Sequence, residues 1–151
     1  MKQIEDFLVN GFATIDNIYT IEEAGKILEQ INQASSDKKT FRKSADLFAI
    51  RQFLREVPET ADTIFNDKLK PVLTELLGNN YFVVKSIYFD KPQTSNWYVS
   101  YHQDLTISVD KKLALKGFEF WTTKQNQFAV QPPLDILQNI VTVRIHLDET
   151  D

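Results

Sequence analysis

The spacing of apolar side chains changes character at residue 80. Before that point apolar residues recur every three or four positions, which is typical of amphipathic helices. The two clearest helical faces are Ala24, Ile27, Leu28 and Ile31, and Leu69, Val72, Leu73, Leu76 and Leu77. After that point β-branched and aromatic residues predict strands over 81–89, 106–109 and 140–147. The sequence therefore predicts an α+β fold in a single domain, 1–151, with residues 1–79 mainly helical and residues 80–151 mainly β.

Capping residues predict where the helices begin and end. Thr20 and Glu23 have the spacing of a capping box, in which each side chain takes a free backbone amide of the other. Gly11 and Gly78 are expected to stop the first helix, which begins near residue 2, and the helix that carries the leucine face. Residues 12–15 alternate as a short strand would. Residues 47–57 fit a helix and a strand equally well, and 59–66 predict one or two helical turns.

The composition excludes several classes of protein. A net charge of −4 does not attract phosphate backbones, so we expect no nucleic-acid partner. The absence of cysteine excludes disulfides, thiolate metal sites and a cysteine nucleophile. The N-terminus is not that of a signal peptide, and no apolar run approaches the ~18–20 residues that cross a bilayer. We expect a soluble, cytoplasmic protein without a membrane partner.

His102 and Asp104 are the sharpest chemical feature. On an extended strand, residues two apart point to the same side, so an imidazole nitrogen and a carboxylate oxygen could reach one ion. Such a pair is two-thirds of the 2-His-1-carboxylate triad that holds Fe(II) and leaves positions open for oxygen and a cosubstrate. A surface or core histidine beside an acid is the alternative interpretation.

The surrounding motifs resemble a known family. In chain order they are the strand that ends in Lys91-Pro92, then Asn96-Trp97, Tyr101-His102-Gln103-Asp104, Gln131-Pro132-Pro133 and Arg144-Ile145-His146-Leu147-Asp148. Together with Asn10-Gly11-Phe12 and the capped helix, this ordered set resembles bacterial members of the phytanoyl-CoA dioxygenase family across essentially the whole chain.

The resemblance implies a fold and a chemistry. The fold would be a double-stranded β-helix, also called a jelly roll and cupin-like, with helices packed outside it. The chemistry would be that of an Fe(II)- and 2-oxoglutarate-dependent dioxygenase, which uses dioxygen to hydroxylate a small organic or acyl substrate. His102 and Asp104 match the metal ligands of the family. Arg144 lies on the strand where family members line the cosubstrate pocket, and an ion pair at the surface is its alternative role.

Five further side chains are candidates for the same site. Lys85 and Arg51 would attract the carboxylates of the cosubstrate, although a strand lysine also commonly faces solvent. Trp97, Tyr101 and Trp121 would wall the substrate, and core packing explains these aromatic residues as well.

The family pattern continues past the Leu-Asp-Glu-Thr-Asp that ends this chain at Asp151. Family members continue into an Asn-Gly turn and a Pro-Gly-Ser-His segment, whose histidine is the third metal ligand, followed by an arginine that binds 2-oxoglutarate. This chain stops at Asp151, so we expect it to be the N-terminal part of a longer enzyme, inactive alone. Its barrel would lack the last strands, and the open strand edges would favour a homodimer.

Two other functions remain open from the residues alone. One is a non-catalytic jelly-roll binding module. The other is a zinc hydrolase that uses His102, Asp104 and His146, although His146 falls outside the family's ligand pattern and is expected to be structural.

Overall fold

The computed structural model describes residues 2–34, 38–44, 47–90, 100, 102–124 and 126–148. The helices are α1 (Lys2–Asn10), α2 (Ile21–Gln33), α3 (Phe53–Glu56), α4 (Ala61–Ile64), α5 (Leu69–Leu77) and α6 (Leu134–Leu137), with a 3₁₀ turn at Pro58–Thr60. The strands are β1 (Phe41–Ser44), β2 (Leu47–Arg51), β3 (Ile87–Asp90), β4 (Ile107–Val109), β5 (Glu119–Lys124) and β6 (Gln127–Gln131). The protein is therefore α+β, as predicted.

The elements fall into two compact units. The helical unit comprises Met1–Ala34, Val57–Phe82 and Ile145–Asp151, and the β unit comprises Ser35–Glu56 and Val83–Arg144. The strands β1 to β6 all belong to the β unit, including the two that precede residue 79. Among the residues that the structure describes, no helix is both long enough and apolar enough to span a membrane.

The helical unit begins and ends its helices where the sequence predicts. The Glu23 amide donates to Thr20 Oγ1 at 3.2 Å and the Thr20 amide donates to the Glu23 carboxylate at 2.8 Å, which completes the capping box. Gly11 and Gly78 follow α1 and α5 with φ of 78° and 75°, values that glycine adopts without a Cβ clash. Ile27 of α2 is almost fully buried, so the predicted helical face is the packed one.

Polar contacts join the helical unit across long stretches of sequence. The Tyr19 hydroxyl donates to the Ile64 carbonyl at 2.8 Å. Burial, and then the nearby Glu23 carboxylate, raise the pKa of Tyr19 to about 12. The Asn66 side chain donates to the Ile18 carbonyl and accepts from the amide of Leu69, so it holds the start of α5.

The β unit contains two antiparallel sheets of three strands. The first has the order β1-β2-β3, with Ile50 of the central strand fully buried. The second has the order β4-β6-β5, with Val130 of the central strand fully buried. The β5–β6 hairpin has a register shift between Glu119 and Thr122, where Phe120 adopts a φ of 51°.

The ambiguous residues 47–57 form both kinds of element. They begin as β2, which pairs on both sides, and continue after Gln52 (φ 55°) as the single turn of α3. The amide of Phe53 donates to the Ser86 carbonyl at 3.1 Å, and that of Leu54 donates to Ser86 Oγ at 3.0 Å. Contacts with a segment that is distant in the sequence therefore decide between two conformations that the local pattern fits equally.

Two strand predictions were wrong, and a third was confirmed only at its end. Residues 12–15 and 140–147 form no strand, and the strand predicted from Tyr81 begins only at Ile87. The compositions favour extended backbone, but a strand also requires a hydrogen-bonded neighbour, and the described residues provide none at these positions. The jelly-roll arrangement of the strands stays a prediction.

Candidate functional site

His102 and Asp104 face one another in the irregular segment just before β4. His102 Nε2 lies 3.9 Å from Asp104 Oδ1. The ring is held by its other nitrogen, because Nδ1 lies 2.9 Å from the Ser100 carbonyl oxygen, which can only accept a hydrogen bond. In the neutral ring this hydrogen bond places the proton on Nδ1, which leaves Nε2, the atom nearer the carboxylate, as the free donor to a metal. Backbone carbonyls fix the tautomer of metal-binding histidines in the same way.

The two atoms lie farther apart than the ligands of a 2-His-1-carboxylate triad. Two ligand atoms bonded at about 2.1 Å to one metal, at about 90° to each other, are about 3 Å apart. Both side chains are more than half exposed, so they can approach each other by rotation. The two groups lie near each other, but they precede β4 and do not lie within a strand, and their binding of one cation stays a prediction.

Lys85 connects this pair to a cleft in the β unit. Its Nζ lies 3.5 Å from Asp104 Oδ2, so the two carboxylate oxygens of Asp104 face different partners, the imidazole and the ammonium. Lys85 also lines a cleft of about 440 Å³. The charge of Lys85 is therefore shared between the candidate metal pair and the cleft.

The cleft is rich in positive charge. Arg51, Arg55, Lys85 and Lys124 line it, with Asp110 as the described carboxylate among its lining residues. The rest of the lining is mixed. Hydroxyl and amide side chains come from Ser86, Thr106, Ser108, Thr122 and Gln127, and apolar ones from Leu54, Val83, Val84, Ile87 and Ala129. An anion of small size matches this lining in charge and in hydrogen-bonding capacity.

The structure brings together two of the three residues predicted to bind the cosubstrate. Arg51 and Lys85 line the same cleft. Arg144 is exposed, lies in an irregular segment and not in the predicted strand, and is not among the described residues of the cleft. Arg51 and Lys85 are far apart in the sequence. They reach the same cleft because β2 pairs with β3, which places Arg51 opposite Ile87.

The aromatic candidates have different outcomes. Trp97 and Tyr101 lie outside the described residues. Trp121 lies in β5, where its ring is 5.7 Å from the Lys112 ammonium, and its neighbour Thr122 lines the cleft in its place. The segment that carries Trp121 is therefore a strand of the second sheet.

Three of the charged residues of the cleft were not predicted: Arg55, Asp110 and Lys124. The sequence contains a signal for Asp110 and Lys124. Polar residues alternate with apolar ones from Thr106 to Asp110, and Thr122 and Lys124 are also two positions apart, which indicates one wet face of an antiparallel sheet. Arg55 has no such signal, because the single turn of α3 is defined by tertiary contacts.

Among the described residues, no group of three or more His, Asp or Glu side chains is arranged to hold a metal. The histidine of the proposed zinc alternative, His146, lies in the helical unit and is exposed. The helical unit has a separate polar cleft of about 410 Å³. Its lining includes the acids Glu23, Asp62 and Asp67 and the bases Lys68 and Lys70. None of the predicted site residues lines that cleft.

Comparison with known proteins finds no protein-family model, no curated protein and no solved structure that matches this chain. The family resemblance is therefore carried by the motifs alone.

Proposed function

We propose that the chain carries part of the site of an Fe(II)- and 2-oxoglutarate-dependent dioxygenase of the phytanoyl-CoA dioxygenase type. The observation that carries the proposal is the pair of His102 and Asp104, separated by 3.9 Å and linked through Lys85 to a cationic cleft. Chemically, the pair offers two donors that Fe(II) accepts, and the cleft offers charges that a dicarboxylate requires.

Each residue has a stated role in this proposal. His102 and Asp104 would hold Fe(II), with the Ser100 carbonyl keeping the imidazole in the ligating tautomer. Arg51 and Lys85 would bind the carboxylates of 2-oxoglutarate and orient it. Bound together, the iron and 2-oxoglutarate supply the activation of dioxygen that hydroxylates a C–H bond and releases succinate and carbon dioxide.

The proposed fold is the jelly roll of that family. Two antiparallel sheets within one unit support it, because a jelly roll is built from two such sheets. In family members the third ligand is a histidine of a later Pro-Gly-Ser-His segment, which does not occur in these 151 residues. We therefore expect the chain to bind metal more weakly than a site with three protein ligands.

Titration with Mn²⁺, followed by electron paramagnetic resonance of the free ion, tests the metal pair. We expect His102→Ala and Asp104→Asn each to weaken binding by at least about 10-fold, because removal of even an outer-shell partner of a ligand has an effect of that size. His146→Ala is the matched control and should leave the affinity unchanged. A loss with His146→Ala equal to that with His102→Ala would favour the zinc-type triad, and no loss with any variant would defeat the metal site.

Turnover is measured separately, as succinate formed from 2-oxoglutarate with added Fe(II). We expect little from the chain of 151 residues and more from a version extended to include the family's third histidine, if the gene encodes one. Extended protein that binds iron and 2-oxoglutarate without forming succinate would contradict the enzymatic proposal.

A non-catalytic anion-binding module is the second candidate. It is favoured by the ion pair between Lys85 and Asp104, in which a carboxylate oxygen of the candidate metal pair faces an ammonium group. The two candidates differ in their metal dependence. If 2-oxoglutarate binds with the same affinity with and without Mn²⁺, and His102→Ala has no effect on it, the binding module is the better account.

A further inference from the structure

The second sheet has two chemically different faces. Ile107 and Val130 are paired across β4 and β6 and are both buried. The other face carries Thr106, Ser108, Asp110, Thr122, Lys124 and Gln127, all of which line the cleft. A sheet with one packed face and one wet face is common, but here the wet face forms a wall of a cleft whose lining also includes arginine and lysine side chains.

The register of the strands arranges this polar face in rows. Ser108 pairs with Ala129, which pairs with Thr122, so two hydroxyl-bearing residues flank a small side chain. Lys124 pairs with Gln127 in the neighbouring row. Because directly opposite side chains in a sheet lie roughly 5 Å apart, the rows place hydroxyl, amide and ammonium groups within reach of one small molecule above Ala129.

The charges of the cleft exceed what one cosubstrate needs. In the proposed function Arg51 and Lys85 bind the carboxylates of 2-oxoglutarate, which leaves Arg55 and Lys124 for another anionic group. Asp110, at the end of the polar row of β4, offers an acceptor to a hydroxyl or ammonium group. Leu54, Val83 and Val84 also line the cleft, but an apolar chain placed against the polar wall of the second sheet would remove water from these groups and return no hydrogen bond, so it would be disfavoured there.

We infer that the cleft takes a small, water-soluble carboxylate that carries a hydroxyl or amino group, and that Thr122 and Lys124 select it over an apolar acyl chain. The ligand class follows from the cleft itself, whereas its status as the substrate rests on the proposed function. A cleft of about 440 Å³ is large enough for such a molecule beside a bound cosubstrate.

Isothermal titration with three carboxylates tests the inference. The probes are L-glutamate and L-malate, which carry an amino and a hydroxyl group, and octanoate, which carries neither. Each titration is run without iron, with and without saturating 2-oxoglutarate. We expect at least one of the two polar acids to bind at least about 10-fold more tightly than octanoate, the discrimination expected from one hydrogen bond to a charged group.

Matched variants locate the binding wall. Thr122→Val and Lys124→Met should each weaken the binding of the polar acid by about 10-fold. Two control variants should leave binding unchanged. Thr123→Val changes the next residue of β5, which is not among the residues that line the cleft, and Lys116→Met changes an exposed loop lysine. Thermal unfolding of every variant establishes that it is folded.

Three outcomes would overturn the inference: neither polar acid binds, octanoate binds as tightly as they do, or Thr123→Val weakens binding as much as Thr122→Val. Failure of the proposed function has a separate signature. Selective binding of a polar acid, with no metal affinity that depends on His102, would retain the ligand class and remove the oxygenase. Succinate formation without selectivity for the polar acids would retain the oxygenase and remove the ligand class.

Discussion

At the scale of single residues, the candidate metal pair depends on local geometry and on one distant side chain. His102 and Asp104 lie in an irregular segment with one residue between them, and the Ser100 carbonyl, two residues before His102, holds the ring. Lys85 reaches Asp104 from a segment that lies well before the pair in the sequence. Because Asp104 is largely exposed, the ion pair itself stabilises the fold little. Its consequence is a positive charge at the edge of the site.

The capping carboxylate of α2 gives a prediction about pH. The hydrogen bond from the Thr20 amide, and then that from the Asn66 side chain, lower the pKa of Glu23 below its usual 4.5. A carboxyl whose pKa is lower in the folded state stabilises that state above its unfolded pKa and loses this contribution as the pH falls through the folded pKa. The difference in unfolding free energy between wild type and Glu23→Ala should therefore be largest above pH 4.5 and shrink below it.

Urea unfolding at several pH values measures this difference. Asn32→Ala, at an exposed and uncharged position of the same helix, should give a difference that does not change with pH. A Glu23→Ala difference that grows on acidification would contradict the assignment.

Two glycines should respond oppositely to substitution by alanine. Gly117 has a φ of 82°, and an added Cβ would lie 3.0 Å from Pro133 Cγ. Gly117→Ala should therefore cost at least about 1–2 kcal/mol. Gly25 is within α2 with nothing near its Cβ position, so Gly25→Ala should stabilise by about 0.5–1 kcal/mol. Chemical unfolding of both variants checks the signs, and equal effects would show that backbone conformation does not distinguish the two positions.

At the scale of an element, the buried and exposed faces of α2 should contribute very differently to stability. Ile27 is 1% exposed and Ile21 of the same helix is 88% exposed. Ile27→Ala should destabilise by about 2–5 kcal/mol, because it removes buried surface and leaves a cavity. Ile21→Ala should change stability by less than about 0.5 kcal/mol.

The unfolding midpoints in urea of these two variants provide the measurement. Similar losses from both would mean that Ile21 is covered in solution, which would point to an apolar contact at the start of α2 that the isolated chain does not show.

At the scale of the whole molecule, the described strands leave the outer edges of β1, β3, β4 and β5 without a strand neighbour. Such edges can pair with another chain. We expect the average mass in light scattering to rise with protein concentration, and Phe89→Lys, at an exposed position of β3, to reduce this rise.

Phe12→Lys is the control, because Phe12 is more exposed than Phe89 but lies in the helical unit and outside any strand. An equal reduction by Phe12→Lys would assign the association to apolar surface. A wild-type chain that stays monomeric at every concentration would refute the homodimer.

The amino-acid sequence alone determined the features that depend on near neighbours. The capping box of α2, the glycine ends of α1 and α5, the buried face with Ile27 and the α+β class could all be read from it, because each depends on residues within a few positions. The proximity of His102 and Asp104 also followed, since a single residue separates them, whereas their binding of one metal ion stays a prediction.

Only the tertiary structure decided the features that depend on distant partners. Residues 140–147 have the composition of a strand, yet they form none, because a strand exists only with a neighbour to receive its hydrogen bonds. The cleft combines Arg51 and Lys85 with Lys124, which lies on a different sheet, so no pattern of spacing in the sequence could have assembled it. Hydrogen bonding within a helix is local, whereas sheet pairing and cleft formation join residues that the sequence keeps far apart.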